Sequence, residues 1–81
     1  MADPRRLLAL HMRAPNDTNG NPRRCYVVMT RDGAIVQAVD EGYSGWQAVC
    51  QAGYPNAVQG PAFDVTPSAY RALVRSHTAA R

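Results

Sequence analysis

Four side chains in the sequence are of the soft kind that binds metal ions or serves in nucleophilic catalysis: Cys25, Cys50, His11 and His77. Zinc sites usually draw their ligands in close pairs, such as two cysteines separated by two residues, and no such pair occurs here. A cysteine–histidine nucleophile needs an orienting acid, and no local signature marks one. We therefore predict a buried strand thiol at Cys25, a packed helix thiol at Cys50, no metal site and no cofactor.

The acidic residues include only one adjacent pair, Asp40-Glu41. Paired carboxylates can carry out acid–base catalysis or hold a divalent ion. A simpler use is to form ion pairs with Arg23-Arg24 across the open end of a hairpin, which would help to fix strand pairing. Residues 17–21 resemble part of a calcium loop, but they lack the downstream bidentate glutamate that such loops require. With no catalytic constellation in the sequence, we predict that the protein is not an enzyme.

Three aromatic side chains, Tyr43, Trp46 and Tyr54, cluster in one stretch with several glycines between them. Exposed beside arginines, such aromatics would form a protein-binding hot spot or a platform for stacking nucleic-acid bases. Buried, they would cover a small core. We expect Trp46 to lie in the core, because large aromatics are highly buried on average. The sequence leaves both interpretations open for Tyr43 and Tyr54.

All nine basic residues are arginine, and with six acidic residues they give a net charge of +3. Arginine matches the geometry of phosphates and carboxylates, so this usage could indicate binding to nucleic acid or to an acidic partner. Codon usage in a GC-rich genome is the explanation we prefer, because a charge of +3 falls short of a dense basic patch. Arg71 and Arg75 would form a short basic stripe on one helix, for which a solvated helix face is the usual explanation.

The elements that would position these groups are organised around residues 23–43, which predict a β-hairpin. Two apolar runs, residues 25–29 and 34–39, flank Asp32-Gly33. An Asp-Gly pair between such runs is a strong hairpin signal, because glycine accepts a positive φ and aspartate tolerates it. Both faces of the hairpin are largely apolar, so we expect it to lie in the centre of the sheet with helices on one face.

The turn leaves two registers open for this hairpin. With a two-residue turn, Val28 faces Gln37 and Arg24 faces Glu41. A bulge in the turn would shift the register by one and place Arg24 opposite Asp40. In either register the basic pair meets the acidic pair at the open end of the hairpin.

The hairpin is preceded by a strand and a loop. Residues 6–13 alternate as a strand does, with a helix as the rival interpretation because leucine, alanine and methionine favour one. Residues 14–22 hold two prolines, three asparagines and a glycine, which exclude regular structure and predict a projecting loop.

Two helices follow the hairpin. Ser44 and Gln47 fit a capping box at the start of a short helix, and Gly53 lies where a C-terminal glycine belongs. Residues 62–65 predict a short strand. Thr66 and Pro67 then open the last helix as its N-cap and first helical residue. That helix would turn one apolar face to the core, made of Tyr70, Leu73, Val74 and His77.

Length and composition limit the class of protein. The chain has 81 residues, of which 46% are hydrophobic, so we predict one globular domain. The apolar run 7–10 is shorter than a secretory signal requires, and no stretch approaches a membrane span, so we expect a cytoplasmic location. A domain of this size is marginal by itself, and an uncovered sheet edge would make a homodimer natural.

The amino-acid sequence of the middle third of the chain resembles a group of known sequences. The stretch NGNPRRCYVV, residues 19–28, followed by Asp32-Gly33 and by the DEGY stretch at residues 40–43, is similar to small uncharacterised proteins of phages and other mobile elements. The resemblance implies a compact, arginine-rich, single-domain accessory protein, and some proteins of this kind bind and inhibit host machinery. It assigns no functional residue, because its motif is structural.

We therefore predict an α+β fold of order β-β-β-α-β-α, with a small antiparallel sheet built on the central hairpin and two short helices packed on it. The domain spans residues 1–81, with loose ends at 1–4 and 78–81. The predicted function is that of a small non-enzymatic binding protein of phage type that binds or inhibits a host protein. The predicted binding residues are Asn19, Asn21, Arg23, Arg24, Tyr43, Trp46 and Tyr54. The alternative is a nucleic-acid-binding protein that uses surface arginines, among them Arg71 and Arg75.

Overall fold

A computed structural model describes residues 7–77, which fold into a mixed sheet with two helices. The elements follow the order βββαββα, which confirms the predicted α+β class. Their bounds are β1 Leu8–Ala14, β2 Arg23–Met29, β3 Ile35–Asp40, α1 Trp46–Gln51, β4 Val58–Gln59, β5 Phe63–Asp64 and α2 Pro67–His77. The predicted loose ends, residues 1–4 and 78–81, lie outside the described residues, as does the first residue of the strand predicted over 6–13.

The central three strands form an antiparallel meander, β3-β2-β1. Val28 faces Gln37 in the hairpin, so the middle of it has the register predicted from a two-residue turn. The turn itself is longer: Met29 faces Ile35, which leaves Val36 as the extra residue of a β-bulge. The hairpin is therefore confirmed, and its bulge lies in β3 rather than in the turn.

The end of the chain adds two short strands to the other edge of β1. Val58–Gln59 and Phe63–Asp64 both pair with β1 in parallel, so the sheet is mixed rather than wholly antiparallel. The strand predicted over 62–65 contains β5, while β4 is absent from the predicted order. A strand of two residues is too short to show alternation, so its pairing depends on β1 as a template.

Local signals mark the start of α2 and the end of α1 as predicted. The signal predicted for the start of α1 was wrong. The N-cap of α1 is Gly45, at φ 58°, without a side-chain hydrogen bond, so Ser44 does not form the predicted capping box. At the other end Gly53 confirms its role: with φ 110° its N–H donates to the Cys50 carbonyl, and the next N–H donates to that of Val49. In α2, the N–H of Ala69 donates to the Thr66 hydroxyl at 3.1 Å, which confirms the predicted cap.

The two helices cover opposite faces of the sheet, which corrects the expectation that they share one face. One buried cluster contains Tyr26, Val28 and Val49, with Trp46 of α1 packed against it. The other contains Met12 and Cys25, and α2 packs against it, contributing Tyr70, Leu73 and Val74. Because successive strand side chains alternate in direction, the apolar run of β2 supplies both clusters. The fold has three layers, with the sheet between α1 and α2.

Neither helix in the described part of the chain is long and apolar enough to cross a membrane.

Candidate functional site

The end of the sheet opposite the hairpin turn carries a row of charged side chains on neighbouring strands. Arg13 of β1 faces Arg24 of β2, and on its other side Arg13 faces Asp64 of β5. Asp40 faces Cys25, so the next register position brings Glu41 opposite Arg24. We call Asp64, Arg13, Arg24 and Glu41 the charged row. Strand alternation places Arg13 and Arg24 on the sheet face that α1 covers.

The two arginines at the centre of this row have unequal partners. Nε of Arg13 donates to Oδ1 of Asp64 at 3.1 Å, and both side chains are largely exposed. Arg24 is exposed and forms no ion pair or side-chain hydrogen bond with any of residues 7–77. Like charges directly opposite each other on two strands destabilise the pairing. Among residues 7–77, the centre of the row therefore has a positive charge at Arg24 without an ion-pair partner.

Glu41 turns away from Arg24 toward His11. Its Oε2 lies 2.8 Å from Nε2 of His11, an ion pair whenever the imidazole is protonated. Nε2 is buried and has no other partner in the described part of the chain, and the contact lies off the direction of a good hydrogen bond. The predicted pairing of Arg23-Arg24 with Asp40-Glu41 is therefore wrong: of the ion pairs within residues 7–77, none joins these groups.

The His11 ring packs against one of two aromatic side chains that contact each other. Its ring stacks on Tyr26 with a centroid separation of 5.0 Å, and Tyr26 meets Trp46 edge to face at 5.2 Å. Burial, followed by the charge of Glu41, raises the pKa of Tyr26, so its hydroxyl stays neutral. These contacts anchor the inner side of the charged row to the core.

Two shallow depressions flank Arg24 at this end of the sheet. The larger has a volume of about 700 Å³ and is lined by Arg13, Ala14, Pro15, Arg24, Asp64 and Val65. The smaller, of about 270 Å³, is lined by Pro22, Arg24, Asp40, Glu41, Gly42 and Tyr43. We call the two depressions together the open-end surface. Arg24 is the residue that lines both depressions.

The three aromatic candidates separate into exposed and packed groups. Tyr43 is completely exposed at the rim of the smaller depression. Trp46 is half-buried against the core, as expected. Tyr54 is also half-buried there, and its hydroxyl donates to Oε1 of Gln37 at 2.7 Å. Of the three, Tyr43 alone offers its whole side chain to a partner.

The asparagines of the loop before β2 are exposed, and Asp17 holds their backbone. The Oδ1 atom of Asp17 accepts the N–H groups of Asn19 and Asn21, each at 2.9 Å. The hydrogen bond from Asn21 is the largest cause of a lowered pKa of Asp17. The carboxylate thus organises the loop, and the loop presents Pro22 to the open-end surface.

The remaining arginine candidates lie elsewhere. Arg23 is half-buried, and strand alternation directs it to the opposite sheet face from Arg24. Arg71 and Arg75 are exposed on α2, the helix that covers that opposite face. The four arginines therefore divide between the two faces of the sheet.

The cysteines and histidines do not come together. Cys25 is buried and Cys50 is half-buried, both as free thiols, as the sequence predicted. Burial, the largest cause, raises the pKa of Cys25 to about 11, which keeps its sulfur protonated and unreactive. Within residues 7–77, no three side chains of histidine, cysteine, aspartate or glutamate are grouped in a way that could hold a metal ion.

Arg13 and Asp64 were not among the predicted binding residues, and His11 was considered only as a metal ligand or as part of a nucleophile pair. Asp64 was considered only as an isolated acidic residue, because β5 is too short to be placed by pattern. For the other two, the available signal was alternation along β1, which puts His11 and Arg13 on one face. The pairing partner of that face depends on the β1–β2 register, which an eight-residue loop does not determine.

No family model matches the sequence, and neither a curated protein nor a solved structure is similar enough to count as a match.

Proposed function

We propose that the chain is a small non-enzymatic binding protein, of the phage accessory type, that binds a host protein through the open-end surface. The observation that carries the proposal is the complete exposure of Tyr43 beside Arg24 and Pro22. Tyrosine and arginine are enriched among the residues that dominate binding energy at protein interfaces. Tyr43 also has no role in the core, which Trp46 and Tyr54 already cover on that side.

The absence of enzymatic activity is part of the proposal and has its own support. His11 faces Tyr26, whereas Cys25 belongs to the cluster on the other side of the sheet. The Cys25 thiol is buried and protonated, and the sheet separates it from the imidazole of His11, so Cys25 makes a poor partner for His11 in nucleophilic catalysis. The free thiols of Cys25 and Cys50 also suit the cytoplasm of the host cell, where glutathione keeps cysteines reduced.

The test is capture of a partner from host lysate by the full chain, with paired variants. We expect the unmodified protein to retain one host protein and Tyr43→Ala to weaken that complex by about 2 kcal/mol, roughly thirtyfold in Kd. Arg31→Ala, at the exposed hairpin turn on the far end of the sheet, is the control that should bind normally. Recovery of no partner, or undiminished capture by Tyr43→Ala, would contradict the proposal.

A second candidate function, nucleic-acid binding, is favoured by one observation on α2. Arg71 and Arg75 are exposed one helical turn apart, and this helix contains no acidic residue that could neutralise them. If they contact phosphates, affinity should fall steeply as salt rises, and replacing either arginine should lower the logarithmic salt slope by about one. A mobility-shift assay at low salt that shows no complex would remove this candidate.

A further inference from the structure

The charged row has an incomplete pattern of charge. Across β5, β1 and β2 the register reads acid, base, base: Asp64, Arg13, Arg24. The acid that would complete the row beside Arg24, Glu41, is instead 2.8 Å from His11. A guanidinium has five N–H donors, of which Arg13 uses only Nε toward Asp64. Both arginines are exposed and line the larger depression, and within residues 7–77 the other side-chain donors have no hydrogen-bond partner.

We propose that Arg13 and Arg24 together bind a carboxylate of an acidic segment of a protein partner, in the larger depression of the open-end surface. Directly opposed residues of an antiparallel pair have Cβ atoms about 4.5–5.5 Å apart, so two guanidinium groups can converge on one carboxylate. A bound carboxylate removes the repulsion between the two arginines. This proposal rests on the proposed function, and it adds the chemistry of the partner.

The surroundings favour an acidic protein segment over a nucleic acid. Asp64 already lies in the depression, and Asp40 and Glu41 line the adjoining one. These carboxylates would repel a continuous phosphate backbone, whereas a single side-chain carboxylate fits between the arginines. Pro15 lines the larger depression, and Tyr43 lines the adjoining one that shares Arg24, so apolar and aromatic contacts would accompany the charge pair.

The test is a titration of the nitrogen-15-labelled full chain, followed through the Nε–Hε signals of its arginines. The probes are a capped glycine-rich peptide with one central glutamate, its glutamine analogue and inorganic phosphate. We expect saturable shifts at Arg13 and Arg24 with the glutamate peptide, none with the glutamine peptide, and unchanged signals at Arg31. Absence of saturable shifts at Arg13 and Arg24 would overturn the proposal, and so would tighter binding of phosphate than of the glutamate peptide.

Variants sharpen the assignment. Arg24→Gln should lower the affinity for the glutamate peptide by about tenfold, and Arg31→Gln should leave that affinity unchanged. Asp64→Asn frees Arg13 from its competing carboxylate, so it should raise the affinity for the glutamate peptide by about two- to fivefold. A structural role for Asp64 would not produce tighter binding. Equal weakening by Arg24→Gln and Arg31→Gln, or weaker binding in Asp64→Asn, would refute the site.

The titration and the lysate capture test the two proposals independently. If the peptide does not bind but Tyr43-dependent capture persists, the carboxylate site is wrong and the binding function stands. If the peptide binds at Arg13 and Arg24 but no host protein is captured, the site is supported and the proposed function is refuted.

Discussion

Opposite placement of the two helices can be tested with two neighbouring valines of β2. Val27 and Val28 are both fully buried, and they differ in the face to which they point. Val28 shares a cluster with Val49 of α1, whereas Val27 shares one with Leu73 of α2. The two valines are therefore matched probes of the two sides of the sheet.

The expected magnitudes follow from burial. Each Val→Ala change removes the equivalent of two methylenes at about 0.8 kcal/mol each and leaves a small cavity, so we expect a loss of about 2 kcal/mol. At about 0.05–0.15 kcal/mol per residue, an 81-residue domain has roughly 4–12 kcal/mol of stability, and a double variant can approach the lower limit. Urea unfolding with a constant m value measures each free energy.

The informative quantity is the coupling energy of each double-mutant cycle. Val49→Ala should couple to Val28→Ala by at least about 0.5 kcal/mol and be additive with Val27→Ala within about 0.5 kcal/mol. Leu73→Ala should show the reverse pattern. If Val49 couples equally to both valines, or if Leu73 couples to Val28, the three-layer arrangement is refuted.

Three further outcomes are expected. Thr66→Ala should lower the free energy of unfolding by about 1 kcal/mol, because the Ala69 N–H loses its cap, whereas Thr66→Ser should preserve most of it; equal losses in urea melts would contradict the cap. Burial raises the pKa of Cys25 from 9.0 to about 11, so the folded state holds this proton more tightly than the unfolded state. The resulting stability is complete below pH 9 and is lost as pH rises toward 11, so unfolding midpoints should fall less over this range in Cys25→Ala than in the unmodified protein. Because β3 ends the sheet of the described residues and exposes Val36, we expect sedimentation at rising concentration to show a weak dimer that Val36→Lys abolishes; a monomer throughout would refute pairing through this edge.

Local signals in the sequence were sufficient for most of the elements. Asp32-Gly33 between two apolar runs predicted the hairpin, Thr66-Pro67 the start of α2 and Gly53 the end of α1, each of which the structure confirms. These features work through hydrogen bonds and φ preferences within a few residues, so they can be read without knowledge of the fold. The Ser44 capping box failed because Gly45, with its positive φ, begins α1 one residue later.

The candidate site could be predicted only in part. The sequence alone placed Arg24 and Tyr43 beside the hairpin as candidate binding residues. That Tyr43 is exposed while Trp46 and Tyr54 pack against the core depended on which aromatic side chains the core could bury. Arg13 and Asp64 required pairings between strands 51 residues apart, for which neither composition nor periodicity gives a signal.

The sequence by itself determined the α+β class, the central hairpin and the start of α2, because each depends on residues close together in the chain. Only the tertiary structure decided that the helices lie on opposite faces, that Glu41 pairs with His11, and that Arg13 faces Arg24 beside Asp64. Those outcomes depend on strand register and on the competition of distant side chains for one partner. Burial and long-range strand pairing determine the register and the partner that each side chain finds. A one-residue change in register would send the same side chains to the other face of the sheet.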